Sequence, residues 1–131
     1  MMKRLQRIRC LDDFEAAARD FLPRQIFTYI AEAAETRSTL ADNRAAFRDW
    51  WFVPRILTNV SGGSQRITLF GREFASAFGI APMGISALSA YRGDLVLARA
   101  AGEAHIPMIM SSSSLIPLEV LAREHPHAWF Q

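Results

Sequence analysis

The chain has 131 residues, half of them hydrophobic and 21% charged, a balance typical of globular domains and opposite to that of disordered segments. Its 15 basic and 13 acidic side chains are interspersed and leave a formal charge of +2, which does not argue for binding to nucleic acid. The lone Cys10 excludes an internal disulfide framework and a cysteine-based metal site, and it fits a reducing, cytoplasmic setting.

The N-terminus carries a basic run of Lys3, Arg4, Arg7 and Arg9. It reads as a solvated terminus, with phosphate or membrane-surface contact as the functional alternative. Asp12 and Asp13 follow before an apolar signal segment can form, and no stretch reaches the ~18 uninterrupted apolar residues of a membrane span.

The first third reads as helical. Leu11, Phe14, Ala18 and Leu22 recur at helical spacing behind the acidic Asp12, Asp13 and Glu15. Pro23 stands where a second helix can begin, and Ile26, Phe27 and Ile30 give that helix an apolar stripe. A third helix is expected from Ser38 or Thr39, either of which can cap it, and carries Leu40, Ala46 and Phe47. Pro54 closes the helical region. Next, Ile67, Leu69 and Phe70 lie between Gly62-Gly63 and Gly71, the pattern of a short hairpin or a pair of surface strands.

The last third alternates strand and helix. Residues 78–83 form a short apolar run of buried-strand type. Residues 93–104 read as a helix buried through Leu95, Leu97, Ala98 and Ala101. Residues 106–110 form a second strand, followed by four serines. Residues 117–124 form a second helix with Leu118, Leu121 and Ala122 inward, and Ala128, Trp129 and Phe130 begin a third strand. Apolar strands alternating with helices predict parallel βαβ units. Two strands and the start of a third cannot cover their own edges, so the sequence is expected to be one incomplete domain over 1–131. Its expected parts are a helical segment over 1–60, a surface hairpin over 61–77 and the first βα units over 78–131.

In parallel α/β folds the reactive face lies at the C-terminal ends of the strands. Two such ends carry small or polar residues. Ala81, Pro82, Met83 and Gly84 let a flat ligand approach the backbone, although a plain βα turn would read the same. Ser111, Ser112, Ser113 and Ser114 offer hydroxyls to a cofactor or phosphate, although one of them could simply cap the next helix. Gln131 is a polar side chain at a third strand end, able to recognise an imide edge. Tyr29 lies on the apolar side of its helix, where a tyrosine is usually core with its hydroxyl at the rim. His105, His125 and His127 lack ligand spacing, and His105 falls in a loop on the far side from the reactive face. No dinucleotide-binding or P-loop pattern appears.

Seven short motifs in order change this reading. Leu22-Pro23-Arg24-Gln25-Ile26-Phe27-Thr28-Tyr29-Ile30 resembles LPxxxFDYI. Thr39-Leu40-Ala41-Asp42-Asn43-Arg44-Ala45-Ala46-Phe47 resembles TLxxNxxAF. Pro54-Arg55-Ile56-Leu57-Thr58-Asn59-Val60-Ser61 resembles PRxLxDVS. Leu69-Phe70-Gly71, Ile80-Ala81-Pro82-Met83-Gly84, Met110-Ser111-Ser112 and Trp129-Phe130-Gln131 follow in the same order and spacing. Together they resemble the FMN-dependent α-hydroxy-acid dehydrogenase and oxidase family, which includes L-lactate dehydrogenase, glycolate oxidase and mandelate dehydrogenase. Each motif is weak alone; their order and spacing make the resemblance.

The resemblance implies an α/β fold, the N-terminal portion of a (β/α)8 TIM barrel with leading helices and the first two to three barrel strands. It implies FMN as cofactor and a small-molecule L-2-hydroxy acid, oxidised to a 2-oxo acid, as substrate. Tyr29 matches the tyrosine that binds the substrate carboxylate. Ala81, Pro82, Met83 and Gly84 match the segment whose backbone lies against the flavin. Ser111 matches a serine contacting FMN, and Gln131 a glutamine bonding the flavin ring. The base histidine, the carboxylate-binding arginine and the phosphate site belong to later strands, so this chain alone is expected to be inactive. The alternative is a non-catalytic truncated product or a pairing subunit. The parent is expected to be a homo-oligomer, with a tetramer as one form. It is expected to be cytoplasmic, or peripheral to the inner face of the membrane through segments beyond this sequence. One departure stands out. Where the family carries a glycine-containing turn after the tyrosine, this chain has Glu32-Ala33-Ala34-Glu35-Thr36-Arg37. Without glycine, a positive φ is disfavoured there.

Overall fold

The computed structural model describes residues 8–131, so Lys3, Arg4 and Arg7 of the basic run lie outside the described residues. The chain divides into two compact units, Met1–Thr58 and Asn59–Gln131.

The first unit is helical. Its α1 spans Asp13–Phe21, α2 spans Arg24–Ala31 and α3 spans Ser38–Ala45, running on into a 3-10 turn over Ala46–Asp49. At the start of α1 the Asp13 carboxylate accepts the amides of Arg9 at 2.7 Å and Cys10 at 3.2 Å. Those two bonds hold its carboxyl below the usual range. Pro23 stands at the N-cap of α2, where its missing amide costs nothing. The Arg19 guanidinium lies 5.1 Å from the centre of the Phe27 ring and bridges α1 and α2. Glu15 meets both Arg19 and Arg44, at 3.6 and 3.4 Å. These pairs are exposed and add little stability. No described residue of this unit is buried. Trp50, Trp51, Phe52, Val53, Ile56 and Leu57 are all exposed.

Two expectations for this unit are corrected. The N-cap of α3 is Arg37 in the left-handed region, without a side-chain cap bond; Ser38 is already helical and its hydroxyl pairs with that of Thr36. The glycine-free turn also adopts positive φ twice, at Glu35 (49°) and Arg37 (60°). An ion pair between Glu32 and Arg37 spans the turn. The turn therefore keeps left-handed geometry at non-glycine residues, at about 1–2 kcal/mol each.

The second unit opens with a hairpin. Its strands β1 (Ile67–Leu69) and β2 (Arg72–Phe74) pair antiparallel with Leu69 opposite Arg72. The two-residue loop has φ of 50° at Phe70 and 77° at Gly71, positive at both centres as a type I′ turn needs. Three parallel extended segments follow. Ile80 bridges Met108, and β3 (Ile109–Met110) pairs with β4 (Trp129–Phe130) in the register Ile109 to Trp129. Between them run α4 (Gly93–Ala104) and α5 (Leu118–Glu124). This is the beginning of a (β/α)8 barrel: strand, helix, strand, helix, strand, all strands parallel.

The core of this unit is Leu95, Ala98 and Ala101 of α4, Met108, Met110 and Leu121 of α5. The helix residues recur every three, which puts them on one face. Arg99 grips Glu124 with two bonds, at 3.0 and 2.7 Å, and ties α4 to α5. His105 ends α4 in the left-handed region, and the Ile106 amide bonds back to Ala101 at 3.0 Å. At Gly79 the chain passes so near the second strand that a Cβ there would lie 2.6 Å from the Pro107 carbonyl oxygen.

The helix over 93–104 and the hairpin are found where the sequence predicts them. Three details differ. Phe78, expected in a buried strand, is 79% exposed, because only Ile80 of that run pairs with a neighbour. On α5, which starts at Leu118, Leu118 and Ala122 face outward, while Leu121 is buried and Val120 packs partly against the core. Of the second strand, only Ile109 and Met110 form the ladder with β4.

Candidate functional site

The C-terminal ends of the three parallel segments lie side by side in the second unit. Residues 81–84 follow Ile80, Ser111 follows β3, and Gln131 follows β4. The Gln131 amide donates to the Met110 carbonyl at 2.9 Å, which sets the third end beside the second. The Ile85 amide donates to the Ser113 carbonyl at 3.1 Å and sets the first end beside the serine turn. A Cβ at Gly84 would lie 3.4 Å from that of Ser113, so the two loops touch. Six of the sequence-nominated residues, Ala81, Pro82, Met83, Gly84, Ser111 and Gln131, therefore border one face.

Their chemistry differs. Ala81, Met83 and Gly84 are exposed and Pro82 is half-buried. Among the described residues, no backbone group pairs with the amides of Ala81, Met83 and Gly84. An open stretch of free amides suits a flat ring with acceptor edges. Ser111 is buried, and its Oγ accepts the Ser113 amide at 3.2 Å. That bond uses an acceptor site and leaves the hydroxyl proton free to donate. Gln131 is exposed and carries both a donor and an acceptor. The donors and acceptors present fit the edge of a flavin-type ring.

Tyr29 belongs to the other unit. It lies on α2, 68% exposed, rather than packed as a core tyrosine. The three histidines stand away from this face. His105 caps the far end of α4, and His125 follows α5 at the start of the turn into β4. His125 is buried, and among the described residues no partner reaches its Nε2. Burial first, and then the neighbouring His127 and Arg72 side chains, push its imidazole below the usual value. The sequence sets His125 aside for want of ligand spacing and gives no sign of the buried Asp94, whose carboxylate accepts the Ser114 hydroxyl at 2.7 Å. An acid in the first turn of a helix reads as a complement to the helix dipole, so nothing in the pattern singled out Asp94.

Among the described residues, no helix is long and apolar enough to cross a membrane, and no group of three or more His, Cys, Asp or Glu side chains could hold a metal ion.

The profile of the FMN-dependent dehydrogenase family matches residues 18–131. The 4-hydroxymandelate oxidase of Amycolatopsis orientalis is 36% identical over 121 residues, covering 92% of this chain and 34% of that protein. The L-lactate dehydrogenase of Pseudomonas syringae is 37% identical over 120 residues, covering 91% of this chain and 32% of that protein. Among solved structures, a mandelate oxidase superposes with a TM-score of 0.87 at 36% identity, over 92% of this chain and 35% of that one. A soluble mutant of the membrane-associated (S)-mandelate dehydrogenase of Pseudomonas putida gives 0.86 at 34% identity, over 92% and 35%. The chain thus spans about a third of the length of the curated relatives it matches.

Proposed function

Because this chain belongs to the FMN-dependent dehydrogenase family, we propose that it forms the flavin-facing first third of an enzyme that oxidises L-2-hydroxy acids to 2-oxo acids. The observation that carries this reading is the convergence of residues 81–84, Ser111 and Gln131 at three adjacent parallel strand ends. FMN, when bound, takes up the two electrons that leave the substrate.

The free backbone of residues 81–84 would lie against the ring. The Ser111 hydroxyl, with its proton unengaged, would donate to a ring acceptor. The Gln131 side-chain carboxamide would pair with the imide edge. Tyr29, exposed on α2, would donate its phenol to the substrate carboxylate. The proton-abstracting histidine is assigned to none of His105, His125 and His127, since none borders the strand-end face. It belongs to later strands in the family resemblance, so the isolated chain would not turn over. The substrate would be lactate-like or mandelate-like, in keeping with the names of its relatives. Homo-oligomerisation, with a tetramer as one form, and a cytoplasmic or peripheral inner-membrane location complete the reading. The membrane-associated mandelate dehydrogenase supports the last point. Nothing among the relatives favours the alternative of a non-catalytic pairing subunit.

The test is FMN titration, followed by flavin fluorescence, of the full-length protein carrying Ser111→Ala or Gln131→Ala. Each should weaken FMN binding about tenfold, the worth of one hydrogen bond. Unchanged affinity in both variants would reject the site.

A further inference from the structure

Among the described residues, the buried Asp94 carboxylate hydrogen-bonds to none of those assigned to the flavin, yet its bond leads into that site. It lies in the first turn of α4 and is 2% exposed. A carboxylate taken from water needs bonds to compensate. The Ser114 hydroxyl donates to its Oδ2 at 2.7 Å. That hydroxyl has a single proton, so its longer 3.5 Å approach to the Ile116 carbonyl is secondary. The Ser114 oxygen in turn accepts the Ile116 amide at 3.1 Å. Ser114 is thus fixed from both sides, by α4 and by the chain entering α5.

From Ser114 the constraint passes inward. The Ser114 amide donates to the Ser111 carbonyl at 3.0 Å, and the Ser113 amide to the Ser111 hydroxyl oxygen at 3.2 Å. The second bond sets the direction left for the Ser111 proton. The Ser113 carbonyl holds the Ile85 amide, immediately after the flavin-facing residues 81–84. At the other end, Gly93 beside Asp94 packs so closely on Ser86 that a Cβ would come within 2.8 Å of the Ser86 carbonyl. The serine turn and residues 81–84 are therefore clamped to the same start of α4.

We propose that Asp94 is a positioning residue for the flavin site, acting through Ser114 to set the serine turn and, through it, the Ser111 hydroxyl and residues 81–84. The proposal rests on the flavin assignment above. It requires an acceptor oxygen at position 94 rather than a charge.

The test compares Asp94→Ala, Asp94→Asn, Ser114→Ala and the Asp94→Ala/Ser114→Ala double variant in the FMN-loaded full-length protein. The readouts are FMN affinity, the flavin visible spectrum and the melting temperature of the apoprotein. Asp94→Ala should weaken FMN binding about tenfold and shift the visible band. Asp94→Asn, which keeps an acceptor for Ser114, should restore most of the affinity. Ser114→Ala should match Asp94→Ala, and the double variant should be no worse than either, since both cut the same link. A lowered melting temperature with unchanged affinity and spectrum would mean a merely structural acid and would overturn the proposal. Additive losses in the double variant would also overturn it. Should Asp94→Ala fail to fold, Ser114→Ala decides alone: unchanged affinity there rejects the link. Ser111→Ala separates the two readings. If it and Gln131→Ala both leave FMN affinity intact, the flavin assignment has failed; if Ser111→Ala weakens FMN while Asp94→Ala does not, only the role of Asp94 has failed.

Discussion

The two units of this chain use helices in opposite ways. In Asn59–Gln131 the apolar stripe of α4 is buried against residues of the same unit, through Leu95, Ala98 and Ala101. In Met1–Thr58 the helices α1 and α2 carry regular apolar stripes, yet no described residue there is buried, and Phe14, Ile30 and Leu40 remain exposed. Amphipathic spacing makes a helix one-sided; it does not supply the partner for that side. Hydrophobic stabilisation should accordingly be concentrated in the second unit, while the first presents its side chains, Tyr29 among them, to whatever binds them.

The sharpest break in that comparison is a pair of leucine truncations followed by chemical denaturation. Leu121→Ala removes a fully buried side chain and should cost about 2–5 kcal/mol. Leu11→Ala, at a position 85% exposed, should stay within about 0.5 kcal/mol. Equal losses would mean that the first unit holds a core of comparable weight.

Next in size is Tyr29→Phe in the FMN-loaded enzyme, with kinetics and flavin content measured together. If the Tyr29 phenol bonds the substrate carboxylate as proposed, its loss should cost roughly 1.5–3 kcal/mol, a ten- to hundredfold fall in kcat/KM. Flavin content should not change, since the flavin is assigned to the other unit. A tyrosine of purely structural use would show the reverse, with stability reduced and kinetics untouched.

Acid should act on the second unit through His125. Burial first, and then the nearby His127 and Arg72, lower its imidazole from the usual value in the fold. The unfolded chain takes up a proton at the ordinary value of 6.5, so the unfolded state binds more protons in acid. Stability is full above that pH and declines as pH falls through it. Thermal melts from about pH 8 to about pH 5 should show this decline, and His125→Gln should flatten it. A wild-type melt that is level across the range would show that His125 is freely protonated in the fold.

The smallest effect concerns the turn after α2. Glu35→Gly relieves a left-handed residue of its Cβ but adds freedom to the unfolded chain, so a net gain of no more than about 1 kcal/mol is expected in denaturation midpoints. A clear destabilisation would mean that the Glu35 side chain contributes something the backbone angles do not show.

What the sequence reveals follows the same division. The helix over 93–104 is readable because Leu95, Ala98 and Ala101 recur every three residues on its inward side. The hairpin is readable because Phe70-Gly71 tolerates the turn its register requires. Phe78 misleads because hydrophobicity marks a side chain that prefers burial, whether or not a neighbour covers it. The N-cap of α3 misleads because Arg37 takes a left-handed conformation that nothing in its residue type announces. Within the site, the small and hydroxyl residues at strand ends are legible, since strand ends are where such folds place their chemistry. Asp94 and His125 are not. A single buried polar residue has no periodicity, and its importance lies in partners far along the chain, twenty positions away for Asp94 and Ser114.

The contact at Gly79 bears on how this sequence can vary. A side chain there would meet backbone, the Pro107 carbonyl, rather than a flexible neighbour able to swing aside. Every amino acid reachable from a glycine codon by one base change carries a Cβ, so no single-nucleotide missense step at this codon escapes the collision. The strand it would displace is the one whose Ile80 amide bonds to that same carbonyl at 2.8 Å and whose end leads into residues 81–84. In a saturation library selected for flavin retention, codon 79 should therefore emerge as a near-empty column, while Gly62, with nothing within 4 Å of its Cβ position, should tolerate most residues.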